Sequence, residues 1–169
     1  MLTRKACPEC AVKIAACSPP YCNDALVALS YEGLARDVML GFKYRNQRAV
    51  AALFAELLLA RLRTVQEIDH LDVVTWVPTT RERRMARGHY QAETLARIMG
   101  RSLGVPVRKL LERETAGHQT GHSRAQRLVG VALRARSMST PSTVLVVDDV
   151  VTTGATMRMA QQALSTAGA

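Results

Sequence analysis

Two adjacent carboxylates, Asp148 and Asp149, stand between an apolar run and a hydroxyl-rich loop in VLVVDDVVTTGATM, residues 144–157. Thr152, Thr153, Gly154 and Thr156 follow them. A strand that passes through such a loop into a helix suits an anion. Loop amides and the helix N-terminus aim donors at it, and the hydroxyls add more. Gly154 permits a positive φ and close approach of backbone to ligand. The G-x-x-x-x-G-K pattern of a Walker A loop is absent. Carboxylates facing a phosphate would repel it, so the pair makes sense facing neighbouring hydroxyls, as on a ribose. A sugar 5-phosphate satisfies both halves, with its phosphate on the loop and its 2- and 3-hydroxyls on the acids. A simple Asp-Asp turn with a Thr helix cap accounts for the acids alone. It does not account for the agreement of strand, acids, loop and helix start.

A second cluster lies at the other end of the chain. All four cysteines, Cys7, Cys10, Cys17 and Cys22, fall within sixteen residues, and the first two form a CxxC pair. Four thiolates at such intervals suit a small structural zinc site. A segment this short has little core of its own, so the metal would supply its folding energy. Disulfides fit poorly with a chain that lacks a signal-peptide core. A redox CxxC leaves two cysteines unexplained, and unrelated free thiols leave the clustering unexplained. Pro8, Pro19 and Pro20 suit tight turns between ligands.

These groups need elements to hold them. Apolar spacing predicts helices over 32–43 and 48–63. DVVTWV, residues 72–77, reads as a short strand ended by Pro78. A charged loop at 81–88 leads to a helix over 90–103, stopped by Gly104. Residues 107–111 read as a second strand and 114–121 as a loop. The stretch 123–136 reads as a helix capped by Ser123. Residues 143–147 form the clearest strand, apolar without alternation, as in a central strand covered on both faces. A last helix runs over 156–167, with Gly168 as its C-cap. Alternating strands and helices argue an α/β domain with a mostly parallel sheet. Residues 1–25 make a small four-cysteine segment, and 26–169 make the main domain.

The chain has 169 residues and a formal net charge of +9, and 19 of its 23 basic residues are Arg. No Asp or Glu occurs between Thr115 and Val147, where Arg124, Arg127, Arg134 and Arg136 lie. An anionic partner fits this, either nucleic acid or a polyphosphate metabolite. A solvated basic surface fits it equally. Aromatic content is only 4%, which argues against stacking on single-stranded nucleic acid. Trp76 reads as core and His70 as surface. No apolar run approaches the ~20 residues that span a bilayer. Localisation is expected to be cytoplasmic.

VLVVDDVVTTGAT resembles the phosphoribosyl-diphosphate (PRPP) binding motif of type I phosphoribosyltransferases. That motif has four apolar residues, two acids, an apolar residue, then x-T-T-G-x-T. The wider order of features resembles ComF-type competence proteins, which join a zinc ribbon to a phosphoribosyltransferase domain and are linked to DNA uptake. That order is the cysteine cluster, Tyr31-Glu32-Gly33, Phe42-Lys43-Tyr44, WVPTTRERRMARGHYQAETLA, and Gln119 with Arg127. Tyr90 stands where the family has Asn, and His89 where it has an aromatic residue. His122 and Gly130 stand where it has Leu and Asn. The resemblance implies further strands beyond Ala169, so the domain is expected to lack its last strands. It implies a sheet flanked by helices and Mg²⁺-dependent phosphoribosyl transfer with release of diphosphate.

By the same resemblance Asp148 and Asp149 hold the ribose, while Val151, Thr152, Thr153, Gly154 and Thr156 cradle the 5-phosphate. Thr79, Thr80, Arg81, Arg84, Arg87 and Gly88 become candidates for the diphosphate, with Arg87 the foremost. Gln119 and Arg127 belong to a closing loop, and Lys43 is a further anion contact. The alternative is a non-catalytic module that keeps the PRPP site only as a ligand site. Its basic surface would serve single-stranded DNA or a DNA-uptake partner. Neither reading specifies the acceptor or the oligomeric state.

Overall fold

The computed structural model describes residues 21–22, 25–44, 50–64, 70–80, 91–113 and 132–169. Two short strands come first, β1 (Tyr21–Cys22) and β2 (Ala25–Leu26). Helices α1 (Gly33–Tyr44) and α2 (Val50–Leu62) lead to β3 (Val73–Trp76). Next come α3 (Gln91–Leu103), β4 (Leu111–Arg113), β5 (Leu133–Ala135), β6 (Val144–Val147) and α4 (Ala155–Thr166). The result is a mixed α/β architecture with a small parallel sheet and four described helices. It fits the α/β part of the expected fold class, a parallel sheet with helices.

β3 and β6 are parallel neighbours, with Val73 opposite Val144 and Trp76 opposite Val147. On the other side of β3, Val107 makes one parallel bridge to Val74. β1–β2 and β4–β5 are antiparallel pairs. Alternate residues of the parallel pair enter two cores. Val74, Trp76, Leu145 and Val147 pack with α1, α2 and α3 around Phe42, Phe54 and Leu95. Val73, Val77, Val144 and Val146 pack with Leu111 and with Ala160 and Leu164 of α4. A strand with apolar neighbours on both faces has no polar face, which explains the unbroken run at 144–147. Among the described residues, however, the central strand is β3, fully buried, and β6 pairs on one side only.

Two expected elements take another form. The strand at 107–111 shrinks to the single bridge at Val107. The Arg108 amide donates to the Val74 carbonyl at 3.0 Å, but the next contact is the Leu110 amide on the buried Thr75 hydroxyl at 3.2 Å. That side chain takes the place of a ladder carbonyl, and the chain turns away to form β4. The end of the helix expected over 123–136 is strand β5 instead. Leu133 and Ala135 face the core while Arg134 and Arg136 face solvent. Arg136 donates to Glu112 across the pair at 3.0 Å. Good helix formers here yield to cross-strand pairing. Residues 123–131 lie outside the described residues.

The helix ends follow the sequence closely. At Gly104 and Gly168, φ is 70° and 102°. The following amides, Val105 and Ala169, donate back to Gly100 and Leu164 at 2.9 and 3.1 Å. Both ends are closed by the six-to-one bond of a Schellman motif. Gly100 answers a different need, since a Cβ there would lie 2.2 Å from Val107 Cγ2 and 2.9 Å from the Val105 carbonyl. It lets α3 lie directly on the segment that bridges β3. Trp76 is core, 6% exposed, with the Arg97 guanidinium 5.9 Å from its ring centroid. His70 is on the surface, as expected. No described helix is long and apolar enough to cross a membrane.

Candidate active site at the carboxyl ends of the parallel strands

In open α/β sheets, ligands sit beyond the carboxyl ends of parallel strands. The ladder of β3 and β6 runs to its last residues, where the Val77 amide donates to the Val147 carbonyl at 2.9 Å. Residues 78–80 and 148–154 therefore leave the sheet side by side. Two sequence-predicted groups, Thr79–Thr80 and Asp148–Thr156, are thus brought to one edge. Thr79 and Thr80 are half-buried, as are Asp148, Asp149 and Val151. Thr152 and Thr153 are exposed.

Local chemistry shapes the loop. The Asp149 amide donates to Asp148 Oδ1 at 2.8 Å, which bends the chain immediately after the strand. Gly154 is buried and left-handed, with φ 72° and ψ −4°, and serves as the N-cap of α4. It offers no side-chain cap, and the first turn of α4 carries no acid. Such an N-terminus favours an anion. Thr153 Oγ1 accepts weakly from the Ala155 amide at 3.4 Å. Thr156 lies half-buried in the first turn.

Further residues shape the site that the sequence pattern did not assign to it. Arg158 Nη2 donates to the Thr153 carbonyl at 3.0 Å and so braces the loop from the helix. A cation near a helix N-terminus opposes the dipole, and that is the sequence signal for a local partner. Arg113 Nε donates to the Pro78 carbonyl and ties β4 to the other loop. Only the tertiary fold joins these two, 35 residues apart. Tyr31 and Glu32, which in the sequence are only part of a motif, stand at the mouth of a cavity.

That cavity, of about 320 Å³, opens beside the acids. Met39, Phe54, Leu58 and Leu95 form its apolar wall, and Asp148–Val151 form one side. Leu26–Glu32 close it from the N-terminal part of the chain.

Residues 89–169, just under half of the chain, match the family model of the phosphoribosyl transferase domain. The C-terminal half is phosphoribosyltransferase-like. No curated protein and no solved structure matches the chain. The matched half supplies β6, the acidic pair, the loop and α4 of the site. The other loop, at 77–80, and most of the cavity wall come from residues before the match. Arg81, Arg84, Arg87, Gly88, Gln119 and Arg127 lie outside the described residues, as do Cys7, Cys10 and Cys17. The backbone of Cys22 lies in β1 and that of Lys43 in the last turn of α1. Their side chains are also outside the described set. Among the described residues, no three His, Cys, Asp or Glu groups converge as a metal site.

Proposed function

We propose that this chain binds PRPP and, with Mg²⁺, transfers its phosphoribosyl group to an acceptor. The observation that carries the proposal is the parallel register of β3 and β6, which sends two candidate ligand loops out of one sheet edge. Asp148 and Asp149 hold the ribose hydroxyls, and the amides and hydroxyls of residues 151–156 hold the 5-phosphate. Thr79 and Thr80, with Arg84, Arg87 and Gly88, receive the diphosphate. An Arg fork matches phosphate oxygens in both spacing and charge.

Transfer breaks the bond from C1 to the diphosphate oxygen, and the electron pair leaves with diphosphate. The acceptor lone pair then closes on C1 and the acceptor loses a proton. No protein nucleophile is needed. The protein orients the sugar, excludes water and favours the positive charge that grows on the ring. Gln119 and Arg127 are assigned to closure over the bound ligands. A pair of carboxylates with substrate oxygens is a donor set that suits Mg²⁺. Bound there, Mg²⁺ would neutralise charge on the departing diphosphate.

The motif order supports a ComF-type protein with a zinc ribbon on Cys7, Cys10, Cys17 and Cys22, a cytoplasmic location and a link to DNA uptake. Calorimetric titration with PRPP, with and without Mg²⁺, tests the central claim. Wild type is expected to bind, and the Asp148→Ala/Asp149→Ala variant to bind at least about tenfold more weakly. Equal binding by the two sinks the proposal. The net charge of +9 suits an anionic partner, and single-stranded DNA gripped through its phosphates is the second reading. A salt-dependent mobility shift of a single-stranded oligonucleotide checks it.

A further inference from the structure

We infer that the cavity beside Asp148 and Asp149 is the acceptor site and takes a small planar ring that is neutral or cationic, to the exclusion of carboxylates. The inference rests on the PRPP reading for the word acceptor, but its chemistry comes from the cavity itself. The cavity is continuous with the acidic pair, because Asp148, Asp149, Val150 and Val151 line it. Its volume of about 320 Å³ is at the small end of the roughly 300–1,000 Å³ of ligand pockets. That suits one or two fused rings.

The wall of Met39, Phe54, Leu58 and Leu95 offers apolar contact. Met is unbranched and polarizable and accommodates flat rings. At the mouth, Tyr31 is 40% exposed and presents an aromatic face. A planar group, above all a cationic one, stacks well on such a face.

Charge decides the class. Among the described lining residues Glu32, Asp148 and Asp149 are acidic, and none is Lys, Arg or His. The charged groups among its described lining residues are thus all acidic in a chain of net charge +9, so the lining runs against the overall charge. A carboxylate ligand would lose its water with no cation among the described lining residues to pair it, and it would share the cavity with Glu32. A ring bearing amino, amidinium or ring N–H groups would donate to Glu32 and to the Ser30 hydroxyl. With Asp148 and Asp149 turned to a sugar, Glu32, Ser30 and Tyr31 remain the polar side chains of the described lining for such a ring.

Three compounds of one shape test this: benzamidine (cationic), benzamide (neutral) and benzoate (anionic). Their affinities are measured by calorimetry on the full chain. Benzamidine is expected to bind at least about tenfold more tightly than benzoate, with benzamide between them. Glu32→Gln, at an exposed position, is expected to narrow the gap between the end members several-fold. Leu58→Trp, which fills the cavity, is expected to weaken all three, with a melting curve run beside it to show that the variant is folded. Benzoate binding as well as benzamidine overturns the inference. So does the absence of binding by all three at millimolar concentration, or a gap unchanged by Glu32→Gln. PRPP titrated on the same wild-type preparation separates the cavity's chemistry from the reaction. If PRPP fails while the order of the three compounds holds, the proposed reaction falls and the cavity's charge preference stands.

Discussion

Gly154 shows how much one residue controls. Its φ of 72° lets the chain leave β6, pass the two acids and start α4 through a left-handed conformation that a Cβ disfavours. A left-handed conformation costs a residue with a side chain ~1–2 kcal/mol. Gly154→Ala is therefore expected to lower unfolding free energy by about that much and to weaken PRPP binding. Denaturant melts and the PRPP titration read the two effects separately. An alanine variant as stable as wild type would show that the loop tolerates another path. Arg158 and Arg113 work beside it, each donating to a carbonyl of one ligand loop.

Among the elements, the contact of α3 with the sheet has the least slack. Gly100 leaves no room for a methyl group, because one of the atoms it would meet is the Val105 carbonyl, which belongs to the backbone. Gly100→Ala is expected to cost about 1–3 kcal/mol, as overpacking does. The better helix propensity of Ala offsets up to about 1 kcal/mol of it. Chemical denaturation checks the sign, and a stabilised variant would contradict the packing. The other notable junction is at the amino ends of β3 and β6. Asp72 Oδ2 accepts from the Thr143 amide at 2.8 Å, and the Asp72 amide donates to the Thr143 carbonyl at 3.0 Å. The Thr143 amide, then His70, hold the Asp72 carboxyl below its ordinary value of 3.8. A lowered folded-state value means that the stabilisation is complete above 3.8 and fades as pH falls through the folded value. Asp72→Ala is thus expected to lower the melting temperature at neutral pH. The gap to wild type should close on acidification below 3.8. A gap that stays constant to low pH would mean that the carboxylate does not pin the register.

At the scale of the molecule, the sheet divides two cores among the described residues, and the candidate site lies where its parallel strands end. The N-terminal cysteines add a claim about the chain as a unit. Metal analysis of the purified protein is expected to find zinc, and a chelator is expected to remove it and lower the melting temperature. A folded, metal-free N-terminus would remove the zinc ribbon. The cavity also belongs to this scale, since its walls come from Leu26–Glu32, three helices and the acidic loop.

VLVVDDVVTTGATM carried its own meaning because its signals are local. An apolar run, two acids, a glycine able to take positive φ and a helix start each depend on near neighbours in the chain. The same holds for Gly104 and Gly168, whose helix ends were legible to within a residue. The 107–111 segment and the end of the 123–136 segment, at 133–136, were not legible. Their fate depends on the Thr75 hydroxyl and on cross-strand partners far away in sequence. Propensity does not encode such partners, and a few residues of good helix former yield readily to a strand that buries Leu133 and Ala135. Chain-local signals thus account for the acids, the loop and the type of most described elements. Packing put β3 beside β6, sent the 77–80 loop out of the sheet beside the acids, and opened an acid-lined apolar cavity next to them. Strand pairing and cavity walls are long-range contacts, and such contacts exist only once distant segments have packed.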